Sequence, residues 1–424
     1  MKYGLLGEKL SHSFSPRIHS MLGNDDYGLF SVEKEDFRSF MENSDFKAIN
    51  VTIPYKKAVI PYLDFISENA MRIGSVNTVV RGNDGRLHGF NTDYTGLRYM
   101  LWHAGIELSG KKVIILGSGG TSLTAHSVAE DMGADRIVVV SRKGEDNYEN
   151  LSRHRDAEVI INTTPVGMFP KNGERLIKLS DFPALKAVAD VIYNPFYTEI
   201  LLDAREKGIK YSNGLRMLVA QAVAASRLFF YEGEARAELP LTDEDRGKIE
   251  DIYRELFNEL SNIVFVGMPS CGKSSLAKAL ASVLDKRAVD SDEEIVKESC
   301  EKIPAIFEKE GEEGFRKRES AVIRELGKQR GLVIATGGGA VLMEENRRAL
   351  RQNAIVVFVK RNIESLSLDG RPLSKSREEL YKMYEKRLPF YEACADITVD
   401  NNGDLADTVA HIVEELRNYE AACD

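Results

Sequence analysis

Residues 267–275 read GMPSCGKSS, and no other stretch limits the possible folds of this chain so tightly. The stretch fits the pattern G-x-x-x-x-G-K-[ST] without a gap. Its glycines let successive backbone N–H groups turn toward phosphate oxygens, and the helix start that follows adds partial positive charge. Residues 263–266 (IVFV) read as a short buried strand before it. Leu276, Ala277, Leu280 and Leu284 recur at helical spacing after it. Strand, glycine loop and helix in that order predict an α/β domain built on a phosphate loop. Gly267, Ser270, Cys271, Gly272, Lys273, Ser274 and Ser275 would wrap the phosphates of ATP. Lys273 can reach the β- and γ-phosphates, and Ser274 can ligate Mg2+. The bland reading, an accidental glycine turn, needs the strand and the helix to flank it by chance.

A chain of 424 residues is too long for one core, so two or three domains are expected. The net charge of -9 argues against a general nucleic-acid binder, so anionic ligands must be held by local basic residues. The N-terminal MKYGLLGEKLSHS lacks the apolar core of a signal peptide, and no apolar run is long enough to span a bilayer. A cytoplasmic location with no membrane partner is the expectation. Cys271, Cys300, Cys394 and Cys423 show no metal-ligand spacing and read as reduced thiols. The expected partners are small-molecule substrates, and no pattern fixes an oligomeric state.

Along the chain, residues 3–6 read as a strand, followed by SHSFSPRIHS with Ser13 and Ser15 just before Pro16. Two hydroxyls in a strand-to-helix loop suit a polyhydroxylated ligand; helix capping by Ser15 is the bland alternative. AINVTIPYK (48–56) reads as a strand ending at Pro54 with Lys56 beyond it, and SVNT (75–78) and GFNTD (89–93) read as further strand ends. Together they offer Asn50, Thr52, Lys56, Asn77, Asn91, Thr92 and Asp93. Polar groups converging at strand ends are where open α/β sheets bind ligands.

A second unit opens with KKVIILGSGGTS: an apolar strand (113–116) enters a loop with Gly117, Ser118, Gly119, Gly120 and Thr121, and another strand follows at 136–140. That order is a βαβ dinucleotide fingerprint. The second strand ends in Ser141, Arg142 and Lys143 rather than an acidic residue, which suits the 2′-phosphate of NADP. Strands at 158–161 and 187–192 lead into NTTPVGM and YNPF, and GLRMLVAQ (214–221) starts a long apolar helix carrying the amide of Gln221.

SHSFSP, NVTIPYK, SVNT, NTD, GSGG, NTTPVGM and GLRMLVAQ occur in the order found in shikimate dehydrogenases, and the chain resembles that family from Met1 to about Gly233. The resemblance implies NADPH-dependent reduction of 3-dehydroshikimate. It implies Lys56 and Asp93 as the catalytic pair, and Ser13, Ser15, Thr52, Asn77, Tyr193 and Gln221 around the substrate. Gly117, Gly119, Gly120, Arg142, Thr163, Val191 and Gly214 would line the cofactor. Where the family carries a second arginine, this chain has Asp146, which implies a less strict NADP preference.

Beyond Pro240, Thr242 can cap a helix whose Ile249, Ile252, Tyr253, Leu256, Phe257 and Leu260 form an amphipathic stripe, either a spacer or a docked element. The last unit carries DSD (290–292), EEGFR (312–316), TGGG (336–339), RPL (371–373) and RLPFY (387–391), and it resembles shikimate kinase from Asn262 to about Asp400. The resemblance places Asp292, Arg316, Gly338, Gly339 and Arg387 around shikimate, with Asp292 on the attacking hydroxyl. Lys273 and the lid arginine Arg371 would stabilise the transferring phosphoryl group, and Ser274 and Asp290 would position Mg2+. The stretch between Val359 and Arg371 is short for the family's nucleotide lid.

The fold class expected is therefore α/β throughout. A substrate-binding α/β domain (1–95 and 215–238) and a Rossmann NADP-binding domain (96–214) come first. A helical linker (239–260) then leads to a P-loop, nucleoside-monophosphate-kinase-like domain (261–424). The function expected is a bifunctional enzyme making shikimate and then shikimate 3-phosphate. Two rivals use the same domains: a quinate/shikimate oxidoreductase preferring NAD, and a non-catalytic metabolite sensor. Arg142 and Lys143 weigh against the first. The presence of Lys56, Asp93, Lys273, Ser274, Asp290 and Asp292 weighs against the second.

Overall fold

The computed structural model describes residues 2–10, 13–231, 235–367 and 376–423, the last four of these as backbone only. The chain divides into two compact units, Met1–Met168 with Glu174–Glu255, and Phe169–Gly173 with Leu256–Asp424.

The first unit holds two sheets. Its N-terminal part runs β1 (Tyr3–Gly7), α1 (Ser15–Met21), β2 (Tyr27–Ser31), α2 (Phe37–Asn43), β3 (Ala48–Val51), β4 (Phe65–Ile66), α3 (Glu68–Ile73), β5 (Thr78–Arg81), β6 (Leu87–Phe90) and α4 (Thr92–His103). The strands lie in the order β2-β1-β3-β5-β6-β4, and only β5 runs against its neighbours. Every residue of β3 is buried, as a strand covered on both faces requires. Its register sets Asn50 opposite Leu5 on one side and Thr78 on the other, which lines polar groups up at one end of the sheet. The strand ends at Val51 and not at Pro54: Thr52 N donates to Leu6 O, and Tyr55 N donates to Thr52 O, closing a turn.

The second sheet is β7 (Lys112–Leu116), α5 (Gly120–Asp131), β8 (Arg136–Val140), β9 (Val159–Asn162), β10 (Ala187–Asp190), α6 (Glu199–Glu206) and β11 (Lys210–Ser212). It is wholly parallel in the order β11-β10-β9-β7-β8, so the winding reverses between β7 and β9, the point at which doubly wound sheets bind ligands. Apolar side chains of α4 (Leu97, Met100, Leu101) share one core with Val113, Ile115, Ile161 and Ala189 of this sheet. β10 stops at Asp190, two residues before the expected end, because its carboxylate accepts from Ile192 N and turns the chain.

Two helices complete the unit. α7 (Leu215–Phe229) packs along α4 and against α1. α8 (Asp243–Leu260) starts with a reciprocal cap: Thr242 Oγ1 accepts from Asp245 N, and Asp245 Oδ2 accepts from Thr242 N. Its first thirteen residues group with this unit. Ile249 and Ile252 are buried, and Glu250 accepts from Tyr99 Oη at 2.8 Å and Arg216 Nε at 3.1 Å. Up to Glu255 the helix is thus a docked element and not a free spacer.

The second unit runs β12 (Asn262–Val266), α9 (Lys273–Val283), β13 (Arg287–Asp290), α10 (Ser291–Ser299), α11 (Ile303–Lys328), β14 (Leu332–Ala335), α12 (Glu344–Arg351), β15 (Ala354–Lys360), α13 (Arg377–Cys394), β16 (Ile397–Asp400) and α14 (Leu405–Cys423). The sheet is parallel in the order β13-β14-β12-β15-β16, with the strand that feeds the phosphate loop at its centre. Among the described residues no helix is long and apolar enough to cross a membrane.

Candidate active sites

The polar cluster of the first unit is organised by the start of α4. Asn91 caps that helix, accepting from Tyr94 N, and so sets Asp93 in the first turn, where the helix dipole favours a carboxylate. Both Asp93 oxygens are used. Oδ2 accepts from Lys56 Nζ at 2.5 Å, and Oδ1 accepts from Asn77 Nδ2 at 2.9 Å. Asn77 is fixed in turn, since its Oδ1 accepts from Thr92 N at 2.7 Å. The Lys56 and Asp93 side chains are only 20% and 12% exposed, so the pair is largely shielded from solvent. Val76 N donates to Lys56 O, which ties the lysine segment to the Asn77 segment.

Ser13 and Ser15 are hydrogen-bonded to each other, and neither caps α1; Phe14 occupies that position without a side-chain cap bond. The capping reading of Ser15 therefore gives way. The Phe14 ring meets Tyr193 edge-on at 6.1 Å, so the serine loop and the end of β10 come together. Thr52 lies beside Gly7 at the end of β1. Gln221 donates from Nε2 to Leu218 O at 2.8 Å. It packs on Gly96 of α4, one turn beyond Asp93; a Cβ on Gly96 would come within 2.5 Å of Met217 O, so only glycine permits this approach.

A buried network that the sequence reading did not assemble lies behind this cluster. Thr78 Oγ1 contacts Thr92 Oγ1 at 3.0 Å and accepts from Asn50 Nδ2, while Asn50 Oδ1 accepts from Tyr27 Oη and faces His19 Nε2. Burial holds the His19 imidazole down at about 4, so it is neutral at physiological pH. His19 and Tyr27 belong to no spacing pattern; only the pairing of strands brings them to Asn50.

The glycine loop after β7 supplies an anion cradle. Gly117 sits at φ 110°, where a Cβ would also crowd Thr163 Oγ1 at 2.9 Å. Gly119 precedes α5 without any side-chain cap, Ser118 is exposed, and Thr121 is half-buried. These residues fit a dinucleotide pyrophosphate. Gly214 packs so closely on Val191 that a Cβ there would overlap Val191 O. Ser141, Arg142 and Lys143 follow β8; Arg142 and Lys143 are exposed, and among the described residues neither of these two side chains is hydrogen-bonded. Asp146 is engaged within the protein, its Oδ1 lying 2.7 Å from His154 Nε2. Beneath this surface the buried Asp190 accepts from Thr198 Oγ1, Ile192 N and Asn162 Nδ2. Burial pushes its carboxyl up to about 6. It braces the two loops that carry Thr163 and Val191.

In the second unit a cavity of about 650 Å³ opens over the phosphate loop. It is lined by Ser270, Gly272, Lys273, Ser274, Ser275, Asp290, Asp292, Arg316, Gly338, Gly339 and Arg387, so most of the expected kinase-side residues share one space. Gly267 (φ 147°) and Gly272 (φ 99°) take backbone angles that side-chain residues avoid. Lys273 Nζ folds back onto Gly267 O and Met268 O, and Asn401 Nδ2 holds Cys271 O. Asp290 has two tasks: Oδ1 accepts from Asp292 N and caps α10, while Oδ2 accepts from Ser274 Oγ at 2.5 Å. Capping and a role beside Ser274 are thus compatible. Two hard oxygens at the phosphate loop fit Mg2+, which keeps most of its waters.

Asp292 Oδ1 and Glu319 Oε1 are buried and accept no hydrogen bond from the described residues. Both face Gly337, where a Cβ would meet them at 2.8 and 2.7 Å. Burial, with Asp290 and Glu319 adding to it, pushes the Asp292 carboxyl up to about 6 against the pull of Lys273 and Arg316. Arg316 is paired with Glu319 at 2.6 Å and Glu312 at 3.2 Å. Arg387 Nη1 and Tyr391 Oη both donate to Gly338 O, presenting the glycine turn to the cavity. Phe307 and Phe315, stacked at 4.7 Å, line an apolar wall absent from the sequence reading. Arg371 lies outside the described residues.

The family model of the shikimate dehydrogenase substrate binding domain matches residues 5–79, and that of shikimate kinase matches residues 269–417. A shikimate dehydrogenase (NADP(+)) of Clostridium beijerinckii is 38% identical over 247 residues, which cover 54% of this chain and 91% of the relative. A chorismate mutase/shikimate 5-dehydrogenase fusion protein from Clostridium acetobutylicum superposes with a TM-score of 0.53 at 36% identity, covering 60% of this chain and 96% of that one. The Thermus thermophilus shikimate 5-dehydrogenase in complex with NADP(H) and shikimate gives 0.51 at 28% identity, covering 60% and 98%. By these matches the chain belongs to the shikimate dehydrogenase family and carries a shikimate kinase domain behind it, an enzyme of the shikimate pathway with two activities.

Proposed function

We infer that the first unit reduces 3-dehydroshikimate to shikimate with NADPH and that the second phosphorylates shikimate to shikimate 3-phosphate with Mg-ATP. The observation that carries this reading is a pair of polar constellations in one chain. One is Lys56 hydrogen-bonded to Asp93 and Asn77-supported; the other is Asp292 unpartnered beside the phosphate loop. NADPH supplies the hydride, and Mg-ATP the phosphoryl group together with charge neutralisation.

In the first unit, Lys56 donates a proton to the ketone oxygen as negative charge builds there, and Asp93 holds the ammonium in line. Ser13, Ser15, Thr52, Asn77, Tyr193 and Gln221 orient the ring hydroxyls and carboxylate. The glycine loop at 117–120, with Thr163, Val191 and Gly214, holds the dinucleotide, and Arg142 takes its 2′-phosphate. In the second unit, Arg316, Arg387 and the Gly338–Gly339 backbone hold shikimate. Asp292 accepts the proton of the attacking hydroxyl and aligns it. Lys273, now on its loop carbonyls, would meet phosphate oxygens, and Ser274 and Asp290 would hold Mg2+, which would supply charge neutralisation there. The domain limits given from sequence and a cytoplasmic location are part of the same reading.

The test is one coupled assay on the full chain with 3-dehydroshikimate, NADPH and Mg-ATP. NADPH loss and ADP release are expected, the second only after the first has begun. Binding of both ligands without turnover would support a metabolite sensor, and turnover with NADH alone an NAD-preferring oxidoreductase.

A further inference from the structure

Four cationic side chains line the cavity over the phosphate loop: Lys273, Arg316, Arg361 and Arg387. Three are engaged by the protein itself. Lys273 is held by two loop carbonyls, Arg316 by two carboxylates, and Arg387 by Gly338 O. Arg361 differs. Its Nε is buried without a hydrogen-bond partner, and among the described residues its guanidinium has no ion pair. Desolvating a guanidinium N–H without a partner costs free energy, so the arrangement is complete only when an acceptor arrives.

Topology says which acceptor. β12 feeds the loop, and its two neighbours in the sheet are β14 and β15. The β14 and β13 ends carry Gly338, Gly339, Asp290 and Asp292, the side with the unpartnered carboxylates. The β15 end carries Arg361, directly after Lys360, and the β16 end beyond it carries Asn401. Asn401 packs on Gly272, and a Cβ on Gly272 would stand 3.7 Å from Arg361 Nη1. Arg361 thus flanks the loop glycine on the side opposite the acidic cluster. A polyhydroxylated acceptor fits the acidic side; a polyanion fits this one.

We propose that Arg361 binds the phosphate chain of the nucleoside triphosphate from the β15 side of the loop, as a nucleotide-binding residue that supplements Lys273. Sequence motifs give no hint of it, because it belongs to none of the matched runs. This inference rests on the kinase reading above.

The experiment is titration of the full chain with Mg-ADP by calorimetry, beside the KM for shikimate in ADP release, for the parent, Arg361→Ala and Arg361→Lys. Loss of one charge-assisted bidentate contact should weaken Mg-ADP roughly 10- to 100-fold in Arg361→Ala. Arg361→Lys should recover part of it, and the KM for shikimate of both should stay at the parental value. Thermal unfolding of the apo variants checks that the domain is folded. Parental Mg-ADP affinity in a folded Arg361→Ala, or an equal rise in the KM for shikimate, overturns the inference. A parent chain that binds no Mg-ADP overturns the kinase reading instead.

Discussion

The two candidate sites are built in opposite ways. Around Lys56 and Asp93 each carboxylate oxygen is hydrogen-bonded, with Asn77, Thr92, Thr78 and Asn50 stacked behind. Around the phosphate loop the reverse holds: Asp292, Glu319 and Arg361 each bury a polar atom that no described residue satisfies. Hydride delivery to a ketone demands a proton donor already aimed, so a finished network serves it. Phosphoryl transfer demands a cavity whose charges are completed by two ligands and a metal, so an unfinished one serves it. The difference is visible as satisfaction at the Lys56–Asp93 pair and as deficit at the phosphate loop.

The contrast is broken most severely at its two carboxylate sites. Lys56→Ala should lower 3-dehydroshikimate turnover by ~10²-fold or more while shikimate-dependent ADP release persists. Parental reduction by that variant would remove Lys56 from the chemistry. Asp292→Asn should silence the kinase and, unlike a substitution in a satisfied network, should stabilise the fold at neutral pH. The sign follows from the carboxyl raised to about 6 from its ordinary value of 3.8. Between those values the native state binds more protons than the unfolded one, so stability falls as pH rises, and the full penalty is present above about pH 6. Thermal midpoints measured from pH 4 to 8 should therefore decline less in the asparagine variant than in the parent, the remainder coming from Asp190, whose carboxyl is also raised to about 6. Kinase turnover of the parent should fall as pH drops below about 6, when the proton acceptor becomes protonated.

Much of this was legible beforehand. The phosphate loop, the βαβ glycine loop and the order of motifs placed three sheets correctly, because strand, glycine turn and helix are local signals. Lys56, Asn77 and Asp93 were each readable as strand-end polar groups, and the fold brings them within hydrogen-bond distance of one another. What stayed hidden depends on strand order. Tyr27 and Thr78 meet Asn50 only through pairing of β2, β1, β3 and β5, with His19 brought in from α1, and Arg361 reaches the loop only because β15 neighbours β12. Asp290, expected from sequence beside Mg2+, also caps α10, and its two oxygens divide the roles.

Smaller effects sharpen the comparison. Arg142→Asp should raise the KM for NADPH about 10-fold and shift preference toward NADH, since the exposed guanidinium is the charge nearest the end of β8. An unchanged NADPH/NADH ratio would move the 2′-phosphate site elsewhere. Thr242→Ala removes the reciprocal cap of α8 and should cost about 1 kcal/mol in denaturant unfolding, with both turnover numbers intact. A loss of either activity would show that the helix start matters to chemistry as well as to stability.

The helix that begins at Thr242 has one more consequence. α8 ends at Leu260 and β12 begins at Asn262, so a single residue, Ser261, separates the helix from the phosphate-loop strand. Both catalytic units are translated as one chain. The two catalysts are born in a fixed one-to-one ratio.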